Sequence, residues 1–179
     1  MPGQIIGDRY RIVKQLGKKL GRWTLLAEDI QTETLVISKL LFIDTDTSPD
    51  ELKLFKREIE TLQSLSHPAT PRYLEYFEME LPKDGQALAL IQSYIDGKSL
   101  HTFLQQGKRF SVAQAKQIAS AVLQILAYLH DLNPPIVHRD IKPSNILLTR
   151  SPDFPPVCLV DFGSVKSFSA SSTDHTTFT

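Results

Sequence analysis

A base, two cations and an amide crowd into the stretch His138-Arg139-Asp140-Ile141-Lys142-Pro143-Ser144-Asn145. Asp140 and Asn145 stand five residues apart, with Lys142 between them. Pro143 blocks helix continuation, so the stretch is a loop. A long helical pattern precedes it and the apolar run Ile146-Leu147-Leu148 follows it. Loops held between such elements are where catalytic groups concentrate. Sixteen residues beyond Asn145 comes Asp161-Phe162-Gly163, directly after the apolar run Val157-Cys158-Leu159-Val160. An Asp-Phe-Gly by itself is common enough to be a turn. The long polar unit followed in order by the triplet is not.

Together the two units resemble the catalytic loop and the metal-binding triplet of eukaryotic-type (Hanks-type) serine/threonine protein kinases. Phosphoryl transfer needs a carboxylate that orients an attacking hydroxyl and accepts its proton, a role the resemblance gives to Asp140. It needs hard oxygen ligands for Mg²⁺, and the resemblance implies Asp161, with Asn145 on a second ion. It needs a cation near the transferring phosphate, which the resemblance implies is Lys142. The expected cofactors are therefore ATP and Mg²⁺, and the expected partner is a protein carrying a Ser or Thr hydroxyl. By family habit, Lys142 two residues after Asp140 favours Ser/Thr over tyrosine acceptors.

The elements that must position these groups follow from periodicity. Tyr10 to Leu16 alternates as a first strand, and Leu16 to Asp29 reads as a turn and a second strand. Set against the family's glycine-rich loop without gaps, Gly17 matches the first glycine, Lys19 and Arg22 fall where the second and third belong, and Gly21 is displaced by one. Two readings stay open. Lys18, Lys19 and Arg22 attract phosphate by charge, or they are a basic hairpin tip in solvent. Thr34 to Leu41 is a β-branched, apolar strand. Its Lys39 resembles the lysine that holds the nucleotide's α- and β-phosphates, twenty-two residues after Gly17. A one-residue shift would put Ser38 in that place and turn Lys39 to the other face. Ser48 or Asp50 caps a helix running to about Leu65, with Leu52, Phe55, Ile59 and Leu62 as its apolar stripe. Glu58 lies beside the stripe, nineteen residues after Lys39, and resembles the helix glutamate that pairs with the strand lysine. His67-Pro68 ends this helix, and His67 is expected to be structural.

Tyr73 to Met79 and Ala87 to Tyr94 read as a strand pair joined by a turn at Pro82-Lys83-Asp84-Gly85. The second strand runs into Ser93-Tyr94-Ile95-Asp96-Gly97, which matches the family's hinge between lobes. The resemblance implies that Ser93 offers a carbonyl and Ile95 an N–H to adenine, with Gln92 at the back of the pocket. Ser99 to Gln106 is a short helix. Ser111 caps a long one whose wide apolar face, from Val112 to Leu129, predicts the buried centre of a helical lobe. Arg150 to Pro156 is a polar, Pro-containing hairpin turn. Ser164 to Thr179 is Ser/Thr-rich with few apolar residues. It matches the family's activation loop, where Thr176, Thr177 and Thr179 are candidate phosphorylation sites for Arg139 to grip; the alternative is an ordinary polar tail.

Composition excludes several other classes. Twenty basic and twenty acidic residues cancel, so no global field points to nucleic acid or an anionic membrane. No run reaches the ~18 apolar residues of a membrane span. Met1 to Lys14 lacks the apolar core of a signal peptide, which leaves the cytoplasm as the expected compartment. Cys158 is the single cysteine and sits in an apolar run, as a small core residue does.

The expected fold is α+β: a protein-kinase-like, two-lobed fold. An N-lobe of antiparallel sheet plus one helix spans 1–95, and a partial helical C-lobe spans 96–179. The resemblance covers about the first two-thirds of such a domain, truncated within the activation loop. Apolar surface of the long helix should then be uncovered, and the isolated 179-residue chain is expected to show little or no turnover. The competing expectation is a non-catalytic, kinase-like module that binds nucleotide or a partner, favoured by the altered glycine loop. A small-molecule kinase of related fold is disfavoured by the Asp-Ile-Lys-Pro-Ser-Asn run.

Overall fold

The computed structural model describes residues 2–19, 21–44, 47–81, 85–150 and 156–167. Its upper part is a six-stranded antiparallel sheet built from β1 (Ile5–Ile6), β2 (Tyr10–Lys19), β3 (Arg22–Asp29), β4 (Thr34–Ile43), β5 (Tyr73–Leu81) and β6 (Gly85–Ser93), in the order β1-β2-β3-β4-β6-β5. Between β4 and β5 the chain forms helix α1 (Pro49–Ser64). Below lie β7 (Gly97–Ser99), α2 (Leu100–Gln105), α3 (Val112–Asp131), β8 (Ile136–Val137), β9 (Ile146–Thr149), β10 (Val157–Leu159) and β11 (Lys166–Ser167). The short strands pair as β10-β9-β7 and β11-β8.

Alternation along β4 decides which residues reach the site. Val36, Ser38 and Leu40 turn to one face, where Val36 and Leu40 join Leu25, Ala27, Ala89 and Ile91 in an upper core. Lys39 and Leu41 turn to the other, where Leu41 packs with Phe55, Ile59 and Leu62 of α1. The sheet curls until its outer strands meet. The Tyr10 ring stacks on Phe77 of β5 at 6.1 Å between centroids, and its hydroxyl donates to Glu75. Arg9 beside it donates two hydrogen bonds to the Asp29 carboxylate, at 2.8 and 2.7 Å. That pairing holds the Asp29 carboxyl well below the usual carboxylate range.

The two caps offered for α1 resolve to Ser48. Its hydroxyl accepts from the Glu51 N–H while the Glu51 carboxylate accepts from the Ser48 N–H, and Pro49 takes the first helical position, where its missing donor costs nothing. Such a box is worth about 1 kcal/mol. The buried residues of the helix are Phe55, Glu58, Ile59, Thr61 and Leu62, so a carboxylate travels into the core with the apolar residues.

A second apolar cluster runs without a break from α1 and β6 to α3, β8, β9 and β10. Two bonds tie the α1–β5 connection to the lower part: Leu159 N–H donates to the Ala69 carbonyl at 2.9 Å and Ser66 N–H to the Tyr128 hydroxyl at 2.8 Å. Helix α3 departs from the expectation of a buried central helix. Of its residues only Val122, Ile125 and Leu129 are buried, while Val112 is 74% and Leu123 64% exposed. Among the described residues the short strands cover one side of the helix, which leaves the other apolar rows in solvent. That is the uncovered surface the sequence also predicts. The turns at 82–84 and 151–155 and the candidates Thr176, Thr177 and Thr179 lie outside the described residues.

The curl sets up a test. Gly7 has φ +55°, and a Cβ there would lie 2.6 Å from Cε2 of Phe77; Gly3 has φ +85° and open space. Gly3→Ala should cost about 1 kcal/mol from the left-handed backbone. Gly7→Ala should cost about 1–3 kcal/mol more from overpacking, read as a difference in denaturant midpoint at unchanged m-value. Equal costs would mean that the sheet does not close on Phe77.

Candidate active site

Three charged side chains from distant parts of the chain converge on one point. Lys39 reaches from β4 to the carboxylate of Glu58 on α1, and its Nζ also donates to Oδ1 of Asp161 at 2.8 Å. Glu58 is 2% exposed, so its charge is sustained by the lysine rather than by water. The register question raised by Ser38 is answered by the pleat. Ser38 lies on the opposite face, fully buried against Leu25 and Ile91, and its hydroxyl has no partner among the described residues. Burial pulls the Lys39 ammonium toward neutrality, but Glu58 and Asp161 outweigh it and push the group up to about 12. Burial likewise opposes ionisation of Asp161, yet Lys39 and the Gly163 N–H hold its carboxyl down at about 2.

The triplet is shaped to make this contact. Asp161 adopts φ +68°, a left-handed conformation that costs a non-glycine residue about 1–3 kcal/mol. Phe162 is buried and meets the His138 ring edge to face at 4.9 Å. Gly163 passes close under the ion pair, where a Cβ would lie 3.0 Å from Glu58 Oε2 and 3.4 Å from Asp161 Oδ1. Any larger residue there presses directly on the carboxylates.

The polar loop between β8 and β9 wraps around Asn145. Its amide is 5% exposed and donates to the Asp140 carbonyl at 2.9 Å and to Asp140 Oδ2 at 3.0 Å. Lys142 Nζ donates to the same Oδ2 at 2.7 Å. The backbone locks the turn: Asn145 N–H donates to the Lys142 carbonyl, Val160 N–H to the Asn145 carbonyl, each at 2.9 Å, and His101 N–H to the Pro143 carbonyl at 3.0 Å. One oxygen of Asp140 is thus fixed by a cation and an amide. Arg139, at φ +62°, sends its Nε to the Ser164 carbonyl at 2.7 Å, at the start of the segment it was expected to grip.

Sequence reasoning left His138 without a role. It is 1% exposed, packs on Phe162, and accepts from the Asp140 N–H at 3.4 Å through Nδ1. Burial pushes its imidazole below the ordinary histidine value. It is a neutral brace between the loop and the triplet. Its position within the polar unit was visible in the sequence, but only packing distinguishes a brace from a base.

The remaining candidates lie at the end of β6, just after it, and in β2. Ser93 is buried and tied to Arg72 by paired 2.9 Å bonds, its N–H donating to the Arg72 carbonyl and its hydroxyl accepting from the Arg72 N–H. Ile95 is buried, and among the described residues its N–H has no partner. Gln92 is 5% exposed. Gly17 sits opposite Thr24 in β3, and the hairpin tip turns at Gly21, φ +67°. The basic tip divides in a way the sequence did not predict. Arg22 bends back to α1, with Nη2 donating to the Glu51 carbonyl at 3.4 Å and its guanidinium 5.4 Å from the centre of the Phe55 ring. Lys18 lies over Trp23 at 5.0 Å. Neither of the two open readings describes Arg22, which is packed against a helix.

The donor chemistry suits Mg²⁺. Asp161 presents a carboxylate and Asn145 an amide oxygen, both hard ligands, and no cluster of three or more His, Cys, Asp or Glu able to hold a metal exists among the described residues. Mg²⁺ characteristically takes one or two protein oxygens and completes its shell with water and substrate phosphates. No helix among the described residues is long and apolar enough to cross a membrane.

The sequence that builds this site has known relatives. The family model of the protein kinase domain matches residues 10–179. The chain is 39% identical over 167 residues to serine/threonine-protein kinase D of Synechocystis sp., covering 89% of this chain and 30% of that protein. It is 34% identical over 168 residues to serine/threonine-protein kinase B of the same organism, covering 90% and 28%. Similarity extends to mouse serine/threonine-protein kinase tousled-like 2, 27% identical over 165 residues, covering 90% and 22%. The chain belongs to the protein kinase domain family, with the antiparallel sheet, single upper helix and partial lower helical region of its α+β fold. It spans less than a third of the length of these relatives.

The ion-pair network carries a pH signature. The lowered Asp161 carboxyl contributes stability that is complete above its ordinary value of 3.8 and is lost as pH falls through about 2. The raised Lys39 contributes stability complete below 10.5 and lost as pH rises through about 12. In Lys39→Met the burial acting on Asp161 loses its main opponent, so carboxyl ¹³C NMR should show the group titrating near or above 3.8, and the acid loss of stability should begin at higher pH. A titration unchanged from the wild type would mean that Lys39 does not hold Asp161.

Proposed function

We propose that the chain is the nucleotide-binding and catalytic-loop portion of a serine/threonine protein kinase, which moves the γ-phosphoryl of ATP to a Ser or Thr hydroxyl of a protein. The observation that carries the reading is the contact of Lys39 with both Glu58 and Asp161, which joins upper sheet, helix and lower triplet at one point. In this reading residues 1–95 and 96–179 are the two lobes and the nucleotide lies between them. Lys39, positioned by Glu58, holds the α- and β-phosphates. Ser93 and Ile95 meet the adenine with backbone groups, and Gly17 lets the hairpin backbone approach the phosphates.

Asp161 and Asn145 would hold Mg²⁺, which when bound neutralises charge developing on the phosphate oxygens. Asp140 orients the acceptor hydroxyl and takes its proton, and Lys142, already paired with Asp140, offers a cation to the transferring group. Asn145 holds Asp140 in place before the acceptor arrives. A cytoplasmic setting goes with this reading, supported by ATP as the substrate and by the single, buried Cys158.

A second reading, a kinase-like module without turnover, is favoured by one feature. The hairpin tip carries cations where the family's glycines belong, and Arg22 there is committed to α1. Two measurements separate the readings. At a hundredfold excess over its dissociation constant, MgATP should stabilise this chain by about 3 kcal/mol, with no shift in Asp161→Ala or without Mg²⁺. No shift in a cooperatively melting wild-type chain would end the catalytic reading. In a protein that carries this chain within a complete kinase domain, Asp140→Asn should reduce phosphate transfer to a Ser/Thr peptide about 10²–10⁴-fold while leaving the MgATP shift in place. Nucleotide binding with no transfer by the wild-type protein would establish the non-catalytic module.

A further inference from the structure

Arg22 stands at the tip of the β2–β3 hairpin, where the family carries a glycine. The register of the sheet decides where its side chain goes. Thr24 pairs with Lys39 and Arg22 with Leu41, and direct cross-strand partners share a face. Arg22 and Lys39 therefore leave the sheet on the same side, the side on which α1 lies. Each meets the helix at its own point. Lys39 donates to the Glu58 carboxylate. Arg22 donates from Nη2 to the Glu51 carbonyl at 3.4 Å and lays its guanidinium 5.4 Å from the centre of the Phe55 ring. Glu51 and Glu58 stand two turns of helix apart, about 10 Å along its axis. Phe55 sits between them.

The hairpin is stiff enough to act as the arm of a clamp. The Gly21 carbonyl accepts from the Phe42 N–H at 2.8 Å, which ties the tip to β4. Trp23 meets Phe42 edge to face with centroids 4.7 Å apart, and Lys18 lies over the Trp23 ring at 5.0 Å. Beyond its far end α1 is pinned from below, through the Ser66–Tyr128 and Leu159–Ala69 bonds. A helix fixed there and otherwise packed by apolar contact can still pivot, because such contact is non-directional. Glu58 lies about 9 Å along the axis from the last residue, Ser64, so a tilt of about 10° shifts it by about 1.5 Å. That exceeds what hydrogen-bond geometry tolerates. A second attachment, two turns from the first, removes the pivot. The cation is tolerated beside the start of the helix because Asp50 and Glu51 place carboxylates in the first turn.

We propose that Arg22 is a positioning residue: it fastens the β2–β3 hairpin to the first two turns of α1 and thereby holds Glu58 on Lys39, so that the nucleotide meets a preformed pair. The inference rests on the kinase reading for the nucleotide, but not for the clamp itself. Arg22 touches no reacting atom in this role and acts through α1. The residue type suits the task. A planar guanidinium can lie on a ring and donate to a carbonyl at the same time, whereas a lysine ammonium is a point charge on a flexible stem. The competing task, a cation offered to the phosphates, needs charge alone. Arg22→Lys keeps the charge and loses the planar fork, so it separates the two.

The test uses the full chain and two readouts. The first is hydrogen exchange of the Lys39 ammonium, followed by ¹⁵N NMR and assigned by the loss of its signal in Lys39→Met. Exchange should be slow in the wild type and faster by about tenfold or more in Arg22→Ala, as the charge-assisted bond to Glu58 opens. Gly3→Ala strains the backbone ahead of β1, with open space around the new Cβ, and is the control for lost stability alone. Its Lys39 should exchange as in the wild type. The second readout is the dissociation constant for MgATP by calorimetry, which should rise about tenfold or more in Arg22→Ala. Arg22→Lys should match Arg22→Ala in both, and it carries the test if Arg22→Ala does not melt cooperatively. Unchanged Lys39 exchange in the folded variant overturns the proposal, and so does equal acceleration in Gly3→Ala. Wild-type behaviour of Arg22→Lys also overturns it, and makes Arg22 a cation for the phosphates. MgATP bound equally by wild type and Arg22→Ala refutes the positioning role and leaves the kinase reading intact. No MgATP binding by a wild-type chain whose Lys39 exchange responds to Arg22→Ala refutes the kinase reading and leaves the clamp.

Discussion

A lysine ammonium beneath a sheet is stable only if something replaces its water, and the architecture around Lys39 is organised to do so. Two carboxylates supply the replacement, Glu58 from α1 and Asp161 from the lower triplet. Each depends on its own scaffold. Glu58 reaches the lysine because α1 is started sharply at Ser48 and laid on the sheet by Phe55, Ile59 and Leu62. Asp161 reaches it because the backbone there accepts a left-handed φ and because Gly163 has no side chain to push against Glu58. The three-way contact is therefore a readout of three placements at once. Removing one partner would strand buried charge, which is more costly than never having had the pair.

The loop beside it is preorganised by a different device. Asn145 is a buried amide that spends its donors on Asp140, and Lys142 adds a charge-assisted bond to the same carboxylate oxygen. The backbone around them is pinned from α2 by way of Pro143, and from the triplet by way of Val160. His138, neutral and buried, fills the space between loop and Phe162. In the proposed kinase reading, an acceptor hydroxyl arriving at Asp140 would meet a carboxylate already oriented, so little reorganisation would remain at the moment of reaction.

Helix α3 has two faces with different fates. One packs Val122, Ile125 and Leu129 into the core that continues up to α1. Its flank toward Phe110 and Leu148 borders an open groove. The hydrophobic pattern of the helix shows how much apolar surface it carries, but not which rows a neighbour covers. For that reason the expectation of a fully buried helix failed, while the expectation of uncovered apolar surface held.

Much of this protein is legible in its residues. The cap at Ser111, the choice of Ser48 or Asp50 for α1, the strands from Tyr10 to Ser93 and the order of the polar loop and triplet all follow from local rules, because caps, alternation and proline act within a few residues of themselves. The spacing of Gly17, Lys39 and Glu58 carries the family resemblance. Whether Lys39 or Ser38 faced the site was a matter of pleat, settled only when β4 was placed between β3 and β6 with α1 on one side. The sequence could not show that Arg22 would abandon the hairpin tip for Phe55, that His138 would be a brace, or that Tyr10 would close the sheet on Phe77. Each joins residues far apart in the chain through burial and packing, and no local pattern encodes which distant surface a side chain will meet. The sequence determined the elements and their chemistry; the tertiary structure decided which charges meet and which are left facing solvent.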